Sequence, residues 1–128
     1  MGGLAFASGP NALSTPRMPL AVYEAVKSRC HAILEKHYTY TATPIEAPGK
    51  KDYGDVDFLV ACPTPLCHGP NIAATLANAL GTEHSISGKG SSTVSFALPW
   101  PKEVKGDATA KNQGSESNHA DRFVQVDI

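Results

Sequence analysis

The segment that most constrains this chain is Gly54-Asp55-Val56-Asp57-Phe58-Leu59-Val60-Ala61. Its apolar run reads as a strand, and that strand opens on two carboxylates one residue apart. Side chains alternate across a strand, so Asp55 and Asp57 share a face at roughly 7 Å separation. Like charges held that close repel, and a cation between them relieves the repulsion. Mg²⁺ is the usual partner for such a pair where the ligand carries phosphates. A solvated acidic strand start accounts for the same two residues, because a short motif alone is weak.

The flanking pattern predicts the rest of the sheet and its cover. From about Leu20 to Tyr38, Val22, Val26, Cys30, Ile33, Leu34 and His37 recur at helical spacing. Glu24, Lys27, Arg29, Glu35 and Lys36 fall largely off that stripe, as in an amphipathic helix. Ser14-Thr15-Pro16 and Pro19 supply helix-start chemistry. Thr39-Tyr40-Thr41-Ala42-Thr43 reads as a strand ending by Pro44, and Glu46 to Gly54 reads as a loop. Val56 to Cys62 is expected to be a second strand, central and covered on both faces because Phe58 to Ala61 is continuously apolar.

Pro63 to Pro70 forces a further loop. Asn71 is placed to cap a helix carrying Ile72, Leu76, Ala79 and Leu80, with Gly81 as its stop. His84-Ser85-Ile86-Ser87 and Thr93 to Leu98 flank a Gly-Lys-Gly turn, as in a hairpin. Phe123 to Ile128 closes the chain as a short strand. The order helix, strand, strand, helix, three strands predicts an α+β (α/β) domain, a mixed β-sheet with helices packed on it. Residues 1–19 read as an irregular lead-in to a domain spanning 20–128. Residues 101–121 are polar and nearly free of large apolar side chains, so a mobile insertion is expected there.

Composition narrows the function classes. At 128 residues the chain fits one domain, and 41% hydrophobic content is enough for a core. A net charge of −1 sets up no global field toward nucleic acid or an anionic membrane. Three cysteines are too sparse for a disulfide frame and point to an intracellular setting, cytoplasmic or nuclear. No apolar run reaches membrane-spanning length. Cys62, Cys67 and His68 have the spacing of no familiar zinc knuckle, and no strained elbow marks a nucleophilic serine.

A third carboxylate changes the reading of the first two. Asp127 lies between Val126 and Ile128, where an unpaired charge is expensive. Gly54-Asp55-Val56-Asp57-Phe58, followed after a helix and a hairpin by Val126-Asp127-Ile128, resembles the nucleotidyltransferase superfamily typified by DNA polymerase β. That family carries a G-D-h-D-h strand and a neighbouring h-D-h strand, and the resemblance spans about Met18 to Ile128.

The resemblance implies that Asp55, Asp57 and Asp127 ligate Mg²⁺ or Mn²⁺ and form the catalytic group. It implies transfer of a nucleoside monophosphate from a nucleoside triphosphate to a hydroxyl acceptor in a nucleic acid, a protein or a small molecule. The family's phosphate-cradling Gly-Ser or Gly-Gly pair has no full counterpart here. Its window reads Pro44-Ile45-Glu46-Ala47-Pro48-Gly49. Gly49, Lys50, Lys51 and Gly54 are the residues left to contact the nucleotide, the lysines as point charges. The family also implies a further helical region beyond Ile128 to hold the base or acceptor. A non-catalytic binding or regulatory module on the same fold is the alternative reading.

Overall fold

The computed structural model describes residues 5–6, 12–67, 71–87, 90–101 and 122–128. The polar insertion expected at 101–121 lies outside the described residues from 102 onward. The chain runs α1 (Leu20–His37), β1 (Tyr38–Ala42), β2 (Val56–Asp57), β3 (Leu59–Pro63), α2 (Ile72–Leu80), β4 (His84–Ser87), β5 (Val94–Pro99) and β6 (Phe123–Asp127). This is an α+β arrangement.

Both helices form where the apolar spacing predicts them. Helix α1 buries Val22, Tyr23, Val26, Cys30 and Leu34 along one stripe. Pro19 stands at its N-cap in extended backbone, with no side-chain cap. Ser14 serves a different purpose from helix initiation: its carbonyl accepts from the Phe123 N–H at 2.8 Å and so lengthens the pairing at the start of β6. Helix α2 is capped as expected. The Asn71 side chain accepts from the Ala74 N–H at 3.0 Å, satisfying one free donor of the first turn. Gly81 ends the helix at φ +79°, a left-handed conformation that a Cβ would penalise.

Four strands form a mixed sheet in the order β2-β6-β5-β4. Strand β2 runs parallel to β6, whereas β5 is antiparallel to both β6 and β4. Paired residues point to the same face of a sheet. Val56, Val126 and Phe96 therefore share one face, and Val124 and Leu98 extend it. All five are buried with the α1 stripe and with Leu76 and Leu80 of α2 in one core. The next row, Asp57, Asp127, Ser95 and Ile86, belongs to the opposite face.

The single central strand expected over Val56 to Cys62 is not what forms. The run divides at Phe58. The Phe58 N–H still donates to the Asp127 carbonyl at 2.9 Å, but from Leu59 onward the chain pairs with β1 in a separate two-stranded ribbon. Phe58 itself is buried and anchors the bend. Leu59 is 62% exposed, and Ala61, Cys62 and Pro63 are exposed too. A continuous apolar run shows that residues could be buried; it does not supply a second layer to bury them. A groove of about 490 Å³ runs along this ribbon, lined by Glu35, Thr39, Tyr40, Leu59 and Val60 among others, and none of the three carboxylates lines it.

Cys30 and Cys67 are buried free thiols, and Cys62 is an exposed one. No helix among the described residues is long and apolar enough to cross a membrane.

The divided strand makes two substitutions diverge. Phe96 is fully buried, so Phe96→Ala is expected to cost about 3–5 kcal/mol in urea unfolding. Leu59→Ala should stay within about 0.5 kcal/mol of wild type, as exposed positions do. A loss of several kcal/mol at Leu59 would restore the buried central strand.

Candidate metal centre

The site is built by register. Asp57 and Asp127 are direct partners in the β2–β6 parallel pair, so their side chains emerge side by side on one face. Asp55 precedes β2 by one residue, and alternation returns it to the same side as Asp57. Val56, between them, is fully buried and holds this short strand on the core. The outcome is a cluster in which one ligand atom each from Asp55, Asp57 and Asp127 lies within 4.8 Å of the others. All three are half-buried.

The electrostatics follow from that crowding. Burial pushes the Asp55 carboxyl up to about 6, and the charges of Asp57 and Asp127 add to the rise. Asp57 is raised as well, first by burial and then by Asp127. The nearness of the Asp127 carboxyl thus adds to the rise at both Asp55 and Asp57. Ionised carboxylates only accept and repel one another, so three of them this close favour a proton or a cation between them. Oxygen donors this close suit a hard divalent ion such as Mg²⁺ or Mn²⁺, which would take the proton's place.

The preceding loop is clamped to the start of α1. Tyr53 and Met18 exchange backbone hydrogen bonds at 2.7 and 2.9 Å. The Tyr53 ring stacks on Tyr23 with centroids 3.9 Å apart. Arg17 donates to Asp52 at 2.6 Å. These ties deliver the buried Gly54 and then Asp55 to the sheet.

The expected phosphate contacts are less convergent. Lys50 donates to Glu46 at 2.9 Å and lies over the Tyr53 ring, 4.8 Å from its centroid. Lys51 is exposed. Gly49 is exposed at φ +76°, with open space where a Cβ would stand. Its glycine serves the turn, since no close approach requires it there. Among the described residues, the three aspartates are the group whose spacing could hold a metal ion.

Two further residues take part, Glu46, whose charge near the phosphates the sequence suggests, and Gln125, which sequence reasoning misses. Glu46 accepts from the Tyr23 hydroxyl at 2.6 Å and from Lys50, and these hydrogen bonds hold its carboxyl below the usual range. Its charge reaches Asp57 and adds to the rise there, while Lys50 offsets it. Gln125 is buried in β6, two residues before Asp127 on the same face, and donates to both Asp127 oxygens. A polar amide in an otherwise apolar strand was the available signal for it.

Comparison with family models, with curated proteins and with solved structures gives no match. The geometry therefore carries the functional reading.

The raised carboxyls fix the sign of the pH dependence. The folded chain holds the Asp55 proton up to about pH 6, whereas an ordinary aspartate releases it near 3.8. Between those values the folded state binds more protons than the unfolded state, so stability falls as pH rises through this window. Urea midpoints measured from pH 4 to 7 without divalent ions should decline, and Asp55→Asn should flatten the decline. A wild-type midpoint rising through that range, with Asp55→Asn following it, would contradict the crowded cluster. Adding Mg²⁺ at pH 7 should recover stability by mass action.

Proposed function

We propose that this chain is a divalent-metal-dependent nucleotidyltransferase-like domain that transfers a nucleoside monophosphate from a nucleoside triphosphate to a hydroxyl acceptor. The observation that carries the reading is the convergence of Asp55, Asp57 and Asp127 on one face, with a ligand atom of each within 4.8 Å of the others. Such a group is stable at neutral pH only with a proton or a cation inside it. The Gly-Asp-Val-Asp strand beside a Val-Asp-Ile strand, in a mixed sheet backed by helices, supports the same reading.

In this scheme Asp55 and Asp57 hold the ion that also meets the triphosphate, and Asp127 completes the set. Bound Mg²⁺ would lower the acceptor hydroxyl's pKa and neutralise charge at the transferred phosphorus. The acceptor oxygen bonds to the α-phosphorus as the bond toward the β-phosphate breaks, and pyrophosphate leaves. Asp127 would take up the acceptor's proton in this scheme. Lys50, released from Glu46, and Lys51 would meet the phosphates as point charges.

One observation favours the second reading, a non-catalytic binding module of the same fold. Glu46 neutralises Lys50 and adds negative charge beside Asp57, where a triphosphate would have to lie. One titration series separates the two. An active domain should bind Mn²⁺ and then a non-hydrolysable ATP analogue by calorimetry. Asp55→Ala or Asp127→Ala should weaken both by at least about 100-fold, the scale of a few kcal/mol. Glu46→Gln should tighten the analogue alone. Mn²⁺ binding without any metal-dependent nucleotide binding would favour the module, and no Mn²⁺ binding at all would remove both readings of the carboxylates.

A further inference from the structure

The buried amide of Gln125 has a fixed orientation, and its source is the N-terminal segment. Gln125 is 4% exposed, the one polar residue among the fully buried set of the described chain. Its Oε1 accepts from the Ala5 backbone N–H at 2.9 Å. Its Nε2 donates to Oδ1 and Oδ2 of Asp127 at 3.0 and 3.1 Å. A backbone N–H can only donate and an ionised carboxylate can only accept, so the partners dictate which way the amide lies. Turning it over would set oxygen against carboxylate and N–H against N–H, two buried mismatches at once.

We propose that Gln125 is the positioning residue of the carboxylate cluster, held in its working orientation by Ala5, so that the N-terminal segment governs the cluster's affinity for a divalent cation. This rests on the reading of Asp55, Asp57 and Asp127 as a metal-binding group. One nitrogen nearly equidistant from both Asp127 oxygens fixes the rotation of that carboxylate about its own axis. Asp127 offers its ligand oxygen within 4.8 Å of those of both others, so its rotation shapes the oxygen set that all three present. Groups behind a metal ligand orient it, and their loss typically weakens metal affinity about 10–100-fold.

Ala5 is accordingly part of the site. Phe6 and Ala97 are buried yet lie outside the main core cluster. Ala97 is the β5 partner of Gln125, on the same face of the sheet. The Leu13 N–H donates to the Phe6 carbonyl at 2.8 Å and ties this segment back on itself. The lead-in therefore reaches the cluster through one backbone donor and one amide.

The test uses the full chain with Mn²⁺ or Mg²⁺ alone. Gln125→Met keeps the length of the side chain and removes its donors. It should weaken Mn²⁺ binding about 10–100-fold by calorimetry. Ala5→Pro deletes a single N–H and should shift affinity in the same direction by less. In the wild type, the Gln125 side-chain NH₂ resonances should move on Mg²⁺ addition, a signature that an amide serving only the fold would not show. Should Gln125→Met fail to fold, those wild-type resonances decide: movement supports the proposal and silence overturns it. Wild-type Mn²⁺ affinity retained by a folded Gln125→Met overturns the positioning role and leaves the metal centre standing. A wild type that binds no Mn²⁺ overturns the metal reading and this one with it.

Discussion

The parallel pairing of β2 with β6 is the constraint on which the rest of the molecule turns. It places Asp57 directly beside Asp127, an arrangement that costs free energy through like-charge repulsion. Nothing in that pair itself repays the cost. The repayment comes from the other face of the same two strands, where Val56 and Val126 are wholly excluded from water against α1 and Phe96. Burying a valine side chain contributes about 1.5–3 kcal/mol, enough to hold two partly desolvated acids together. The alternation of a strand thus couples the stability of one face to the chemistry of the other.

Much of this was legible in the chain because local rules decide it. Helix α1 follows from its apolar stripe, and helix α2 from Asn71 at one end and Gly81 at the other. The antiparallel pairing of β4 with β5 likewise follows from strand periodicity. Asp55 and Asp57 were bound to share a face by alternation. That Asp127 joins them required a parallel pairing between residues far apart in sequence, which was reached through the motif rather than through local chemistry.

The rest was not legible, for a common reason. The division of the apolar run at Phe58 depends on whether another layer covers Leu59 to Pro63, and composition carries no information on that. Lys50 and Glu46 are four residues apart in a loop, so their ion pair depends on the turn at Gly49 and on the Tyr23–Tyr53 stack that clamps it. Gln125 is a polar residue in a short apolar strand, and the strand pattern alone does not say what meets its amide. It is buried because Ala5 returns across 120 residues of sequence to meet it. Each miss turns on tertiary contacts, such as the Tyr23–Tyr53 stack and the Ala5–Gln125 hydrogen bond, that local pattern does not encode.

Those long-range contacts also separate the cluster's two supports by kind. On the β2 side Asp55 and Asp57 are held from behind by packing: Val56 in the core, Gly54 and Tyr53 clamped to α1. Packing of this sort is rigid and tolerates little displacement. On the β6 side the orientation of Asp127 depends on hydrogen bonds through Gln125, which are directional but individually modest in net energy. The cluster is therefore held at the motif by packing and at its third carboxylate by hydrogen bonds. An ion entering between them would meet two oxygen donors backed by packed strand and loop and a third whose rotation a single amide holds.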